Sequence, residues 1–204
     1  MTQTGIDEAG RGPVLGSMVL AGLKVQKSEL KLLTKLGVQD SKLFGSTPKG
    51  KEQRAKLCEI LMRDFETSYV SFSPTEVDQA VRETSLNKLE QKGARQIIKT
   101  LAAEETILDG KNLFRPLENA LVTALNKADL EYPVVAGASI IAKTKRDLEL
   151  TRDLSPFLAD FGEIRGGGYP NAQTLKFVLW HQQQWGKLPD FYRKSYNWKA
   201  LKLA

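Results

Sequence analysis

"TGIDEAGRGP", Thr4 to Pro13, sets two neighbouring carboxylates, Asp7 and Glu8, directly before a glycine–arginine–glycine turn. The stretch reads as an opening strand that runs into a turn. After it comes "VLGSMVLAGLKV" (Val14–Val25), apolar and partly β-branched, which reads as a second strand. The short gap between the two predicts an antiparallel pairing. "TSYVSF" (Thr67–Phe72) is a third strand candidate. "ETILDG" (Glu105–Gly110) is a short apolar run ending in an acid and a glycine, so a buried strand is expected. "YPVVAG" (Tyr132–Gly137) reads as another, with Pro133 near its start, where a missing N–H is tolerated.

Helical patterns fall between these strands. "GKEQRAKLCEILMRDF" spaces Leu57, Ile60, Leu61 and Phe65 along one face. "SPTEVDQAV" opens with Ser73, Pro74 and Glu76, a capping box with proline at the first helical position. "SLNKLEQKGARQIIKTL" carries Leu86, Leu89, Ile97, Ile98 and Leu101 on a stripe, and "PLENALVTALNKA" and "ASIIAKTKRDLEL" read as two further helices. "NAQTLKFVLWHQQQW" follows the turn "GGGYP", with Asn171 as its N-cap. The order of elements predicts an α/β fold, a mixed sheet flanked by helices. At 204 residues the chain fits a single domain, with residues 165–204 as a basic helical C-terminal part.

Composition excludes several classes. No apolar run approaches the ~20 residues of a membrane span. The opening "MTQTGIDEAG" has neither a basic n-region nor an apolar h-region, so it does not read as a signal peptide. One cysteine, Cys58, permits no internal disulfide. The expectation is a cytoplasmic protein with no membrane partner, acting as a monomer. The net charge of +6 lies in residues 165–204: Arg165, Lys176, Lys187, Arg193, Lys194, Lys199 and Lys202 face only one acid, Asp190, and the rest of the chain is balanced. Trp180, Trp185, Phe191, Tyr192, Tyr196 and Trp198 interleave with them. Two readings stand: a face that contacts nucleic acid, or an amphipathic tail whose aromatics pack inward and whose cations are solvated.

The acids matter as a set. Neighbouring side chains on a regular strand leave toward opposite faces, so Asp7 and Glu8 converge only if the chain bends or bulges there; Gly10 and Gly12 supply freedom nearby. Asp109 ends a buried strand, at the rim of a sheet, where α/β ligand sites collect. Asp129 lies in "NKADLEYPVV", just before the strand expected at Tyr132–Gly137. If these strands are neighbours, the carboxylates crowd together and raise one another's pKa unless a cation fills the site. Oxygen-only ligands with no His/Cys cluster select Mg²⁺ or Mn²⁺ over zinc. A pair of such ions is suited to in-line displacement at phosphorus.

"GIDEAGRGP" resembles the opening motif of ribonuclease HII, the type 2 ribonuclease H. "GVQDSKLF", "ILDG", "KADLEYPVVAGASIIAKTKRD", "GGGYP" and "FYRKSYNW" resemble later motifs of that family, in the same order. Three details depart from its usual pattern: Gly137-Ala138 stands before Ser139, the sequence after Lys42 differs, and "EYPVV" looks archaeal where "LDG" looks bacterial. The sister type 3 enzyme usually lacks the Gly-Arg-Gly loop. The resemblance implies a ribonuclease H-like fold with a C-terminal helical extension. It implies an endonuclease that hydrolyses the RNA strand of RNA–DNA hybrids and cuts 5′ of single ribonucleotides embedded in duplex DNA, leaving 3′-hydroxyl and 5′-phosphate ends. The family's four carboxylates map onto Asp7, Glu8, Asp109 and Asp129, holding two ions, Mg²⁺ or Mn²⁺. One ion would generate the attacking hydroxide and the other would steady the departing 3′-oxygen. Backbone groups of Gly10, Arg11 and Gly12 would meet the ribose 2′-hydroxyl, Tyr169 would lie against the sugar after the scissile phosphate, and Ser41, Lys42 and Arg193 would hold phosphates.

The remaining candidates are weaker. His181 lies outside the matched motifs and reads as a surface or packing residue. Asp147 reads as the partner of a nearby arginine. Lys143 could reach a phosphate or a buried acid, and both stay open. A hybrid-binding module without catalysis is the alternative function. A phosphotransferase is weaker still, because the chain has no G-x-x-x-x-G-K-[ST] loop.

Overall fold

The structure, a computed structural model, describes residues 1–38, 44–45 and 47–202. It contains a five-stranded sheet in the order β3-β2-β1-β4-β5, where β1 is Thr2–Ala9, β2 Met18–Gln26, β3 Glu66–Phe72, β4 Glu105–Asp109 and β5 Val122–Leu125. β1 and β2 are antiparallel, from Thr2↔Gln26 to Ala9↔Val19, as the short gap between them predicts. β1 pairs parallel with β4, and β4 parallel with β5. The helices of the described residues are α1 (Leu30–Lys35), α2 (Pro48–Asp64), α3 (Pro74–Glu83), α4 (Leu86–Leu101), α5 (Lys111–Phe114), α6 (Ala128–Glu131), α7 (Pro133–Leu154), α8 (Leu158–Phe161), α9 (Ala172–Trp185) and α10 (Lys199–Lys202). None is long and apolar enough to cross a membrane.

The chain divides into two compact units. The first comprises Met1–Ala9, Val19–Val70 and Asn87–Lys145. Its core lies between one face of the sheet (Ala9, Val19, Ala21, Leu23, Val25, Ile107) and helices α2 and α7 (Leu57, Leu61, Val134, Ala138, Ile141). Gly5 marks a close approach of strand and helix: a Cβ there would overlap the backbone of Val134 and Val135. On the opposite face a Cβ at Gly22 would collide with Ile97, so α4 covers that side. A parallel strand pair covered on both faces is what an α/β sheet requires.

The second unit comprises Gly10–Met18, Ser71–Leu86 and the chain from Arg146 onward. Val14, Leu15, Leu150, Leu154, Phe177, Val178 and Tyr192 form its core. Phe157 meets Phe177 edge-on at 5.5 Å between centroids, and Trp180 and Trp185 at 6.3 and 5.6 Å. Inward packing therefore accounts for most of the tail's aromatics. Lys176, Lys187, Lys194 and Lys199 stay exposed.

The helix caps form as their sequences dictate. The Ser73 hydroxyl accepts the Glu76 N–H at 3.3 Å while Glu76 accepts the Ser73 N–H at 2.9 Å. Asn171 accepts from the N–H groups of Gln173 and Thr174 at 3.0 and 2.9 Å.

Two elements differ from the sequence reading. "YPVVAG" is not a strand but the start of α7, with Pro133 as its first residue. Residues 134–142 are buried without interruption. A helix enclosed on all sides has no polar face, so its apolar run looks the same as a buried strand. "PLENALVTALNKA" is not a helix but a short 3₁₀ turn, Arg115–Leu117, followed by strand β5. Leu117, Leu121 and Leu125 have helical spacing, yet the alternation of buried Val122, exposed Thr123 and buried Ala124 is that of a strand.

Candidate active site

The parallel register builds the centre of the site. Gly5 lies opposite Ile107 and Ile6 opposite Leu108. Continued by one residue, the register sets Asp7 beside Asp109 at the carboxyl ends of adjacent strands. Both residues share a face with Gly5 and Ile107, because side chains two apart point the same way. That face is the one α7 covers.

Asp129 arrives by another route. It sits on α6, not before a strand, since the chain turns directly into α6 and α7. Lys127 adopts a left-handed conformation (φ 58°) to make that turn. The Ala128 N–H then donates to Asp109 Oδ1 at 2.8 Å, tying the start of α6 to the end of β4. As a result one carboxylate oxygen from each of Asp7, Asp109 and Asp129 lies within 4.8 Å of the others. Asp7 and Asp129 are buried and Asp109 half-buried.

Glu8 is not in that group of three. It lies on the part of β1 that is still paired to β2, through Ala9↔Val19. Its influence is nonetheless felt at close range. Burial first, then the charge of Glu8, and further that of Asp109, hold the Asp7 carboxyl well above the usual carboxylate range. A hydrogen bond with the Ser139 side chain and another from the Glu8 N–H, 2.8 Å from Asp7 Oδ1, oppose this. Ser139 sits on α7 and is itself buried. Sequence reading passed over Ser139 as part of a motif; only the packing of α7 on β1 shows what it meets.

The donors fit a hard divalent cation. All three are carboxylate oxygens, and an ion with bonds of about 2.1 Å would draw them together by only small side-chain movements. It would also relieve the repulsion that raises Asp7.

The other predicted residues lie in the second unit or outside the described residues. Gly10–Gly12 begins a segment closed by Gly16, with Gly10 and Gly16 both at positive φ (91° and 83°). Gly12 is exposed, and a Cβ added to it would sit 3.1 Å from Tyr169 Cε1. The Tyr169 ring is half exposed, at 50%. Arg193 departs from its expected task of holding phosphate. It is fully buried, at 0%, and its guanidinium donates to the carbonyls of Gly16 (2.9 Å) and Arg11 (3.3 Å). A side chain enclosed in that way does not reach a phosphate in solvent. Ser41 and Lys42 lie outside the described residues.

His181 proves to be a packing residue. It is buried, with Nδ1 2.9 Å from the Lys187 carbonyl, among Phe157, Phe177 and Trp185. Asp147 pairs with Arg146 at 3.3 Å, as the sequence suggests. Arg146 itself was missed. Its buried Nη2 donates to the Leu15 and Gly167 carbonyls at 3.0 and 2.7 Å.

Comparison with known proteins gives a consistent picture. The family model for ribonuclease HII matches residues 4–199. A ribonuclease HII from Methanothermobacter thermautotrophicus is 36% identical over 207 residues, which cover 96% of both chains. The crystal structure of ribonuclease H2 from Pyrococcus horikoshii OT3 matches with a TM-score of 0.81 at 29% identity, over 100% of this chain and 96% of that one. A ribonuclease HII from Archaeoglobus fulgidus, solved in complex with PCNA, matches with a TM-score of 0.78 at 30% identity, over 97% and 96%.

Proposed function

The chain belongs to the ribonuclease HII family, and is thus a metal-dependent endoribonuclease acting on RNA–DNA hybrids; from that premise we propose that it also cuts 5′ of a single ribonucleotide embedded in duplex DNA. The observation that carries the chemistry is the meeting of Asp7, Asp109 and Asp129 at one point, from three separate stretches of chain. Negative charge facing a phosphodiester helps nothing unless cations intervene.

In this reading Asp7, Asp109 and Asp129 hold one divalent ion and Glu8 flanks a second, Mg²⁺ or Mn²⁺. When bound, such ions neutralise phosphate charge, lower the pKa of an attacking water and steady the departing 3′-oxygen. The chain's own residues set the geometry. The Ser139 hydroxyl and the Glu8 N–H orient the Asp7 carboxylate. The Ala128 N–H fixes that of Asp109. Selection of the substrate falls to the Gly10-Arg11-Gly12 loop, whose backbone meets the 2′-hydroxyl. That group alone distinguishes RNA from DNA at one residue, and glycine permits the backbone to come close. The half-exposed ring of Tyr169 lies against the following sugar and favours one without a 2′-hydroxyl.

The test is cleavage of a DNA duplex containing one ribonucleotide, alongside a continuous hybrid, in Mg²⁺ or Mn²⁺ and again in EDTA. The expected result is metal-dependent cutting of both, with a single cut 5′ of the ribonucleotide that leaves 3′-hydroxyl and 5′-phosphate ends. Cutting of the hybrid alone would reject the single-ribonucleotide activity. Binding of both without cutting in either metal would make the protein a hybrid-binding module.

A further inference from the structure

Among the described residues, Arg146 and Arg193 are the largest fully buried side chains. Both lie in the second unit, and both point their guanidinium groups at backbone carbonyls of the Gly10–Gly16 segment or the Gly166–Gly168 turn. Burying a guanidinium is expensive unless it is well hydrogen-bonded. Such a residue in place of an apolar one implies that those carbonyls must be held in one orientation.

The Arg11 carbonyl is the most informative of them. Arg193 Nη1 donates to it at 3.3 Å, and the Tyr196 hydroxyl at 2.5 Å. Arg193 Nη1 also donates to the Tyr196 oxygen at 3.0 Å, and its guanidinium lies 5.1 Å from the centre of the Tyr196 ring. The three groups form a closed triangle. Around it the segment is fixed by further bonds: Val14 N–H to the Gly168 carbonyl (2.9 Å), Gly16 N–H to the Phe191 carbonyl (2.8 Å) and Arg193 N–H to the Val14 carbonyl (2.9 Å). The Arg193 turn has its own anchor in buried Asp78, which accepts from the N–H groups of Lys194 and Ser195 at 2.9 and 2.8 Å.

A trans peptide is planar, with its N–H opposite its C=O. Drawing the Arg11 carbonyl toward Arg193 and Tyr196 therefore turns the Gly12 N–H the other way. Gly12 is exposed, and among the described residues the side chain that a Cβ there would meet is that of Tyr169. We propose that Arg193 and Tyr196 are positioning residues: they lock the plane of the Arg11–Gly12 peptide so that the Gly12 N–H is presented as the donor that meets a ribose 2′-hydroxyl. The inference rests on the reading in which the loop recognises that hydroxyl. It adds which residues hold the loop ready and which of its backbone groups reads the sugar. Preorganisation of this kind matters because a glycine-rich segment is otherwise free to rotate its peptides.

The experiment compares binding of two duplexes identical in sequence, one all DNA and one with a single ribonucleotide, by fluorescence anisotropy with Ca²⁺ in place of Mg²⁺. Full-length wild type, Tyr196→Phe and Arg193→Lys are compared. Wild type should favour the ribonucleotide duplex. Tyr196→Phe keeps the ring and removes both hydrogen bonds of its hydroxyl, to the Arg11 carbonyl and from Arg193 Nη1, so the preference should fall at least about fivefold, with affinity for the all-DNA duplex unchanged. Arg193→Lys, which keeps the charge but cannot span two carbonyls, should lose at least as much. If that variant does not fold, Tyr196→Phe still decides. A preference unaltered in Tyr196→Phe overturns the proposal. An equal loss for both duplexes also overturns it, because that is what merely structural damage would produce. A wild type with no preference would instead remove the 2′-hydroxyl reading itself.

Discussion

Asp7→Asn will abolish cleavage and at the same time make the metal-free protein more stable. Activity should fall by at least the roughly 10²–10³-fold that loss of one preorganised charge-stabilising group costs an active site. The stability effect follows from the raised pKa of Asp7, caused first by burial, then by Glu8, and further by Asp109. A carboxyl raised in the folded state binds its proton more tightly there than when unfolded. Its favourable contribution is complete below the unfolded pKa of about 3.9 and is lost as the pH climbs through the raised folded value. In EDTA, ionising Asp7 as the pH rises therefore costs the folded wild type stability. Asparagine removes that charge and can still accept the Glu8 N–H bond. Melting in EDTA at pH 7.5 should be higher for Asp7→Asn than for wild type, and the gap should close near pH 4. Added Mg²⁺ should stabilise wild type more than the variant, since the ion binds only the folded state. A variant that melts below wild type at neutral pH in EDTA would contradict the crowded-carboxylate picture.

The second large effect concerns a residue with no chemistry of its own. Gly5→Ala should destabilise the protein by about 3 kcal/mol, the upper part of the usual range for overpacking a core. For a chain of this size that lowers the melting temperature by roughly 6–12 °C. The new methyl group would strike the backbone of Val134 and Val135 rather than a movable side chain. Relief requires α7 to lift from β1, and α7 carries Ser139, which bonds Asp7. Cleavage should weaken along with stability. Thermal melting checks the first part, and a variant as stable as wild type would show that helix and strand are not so close.

How much of this could be read in advance depended on whether local chemistry or burial set the element. Ser73, Pro74 and Glu76 announce α3, and Asn171 announces α9, because a cap is a local hydrogen bond. Asp109 was legible because it ends an apolar strand with a charge, and Asp7 because it stands with Glu8 directly before a Gly-Arg-Gly turn. The helical identity of "YPVVAG" was not, since nine successive buried residues leave no polar face to show a period. The strand in "PLENALVTALNKA" was hidden because three leucines spaced by four imitate a helix. Arg193 is assigned to a phosphate by the family resemblance of "FYRKSYNW" alone. Its burial depends on where the Gly10–Gly16 carbonyls fall, and no pattern in the chain reveals that. Glu8 acts on Asp7 through its charge while β1 stays paired to β2 through Ala9, a proximity that strand alternation alone does not foretell.

The central claim is that Asp7, Asp109 and Asp129 form one cation site. Anomalous diffraction from crystals soaked in Mn²⁺ tests it most directly. The account predicts a manganese peak about 2.1 Å from an oxygen of each of the three residues, and loss of that peak in Asp109→Asn. A peak elsewhere, or three carboxylates that stay apart with no metal between them at millimolar Mn²⁺, would contradict it.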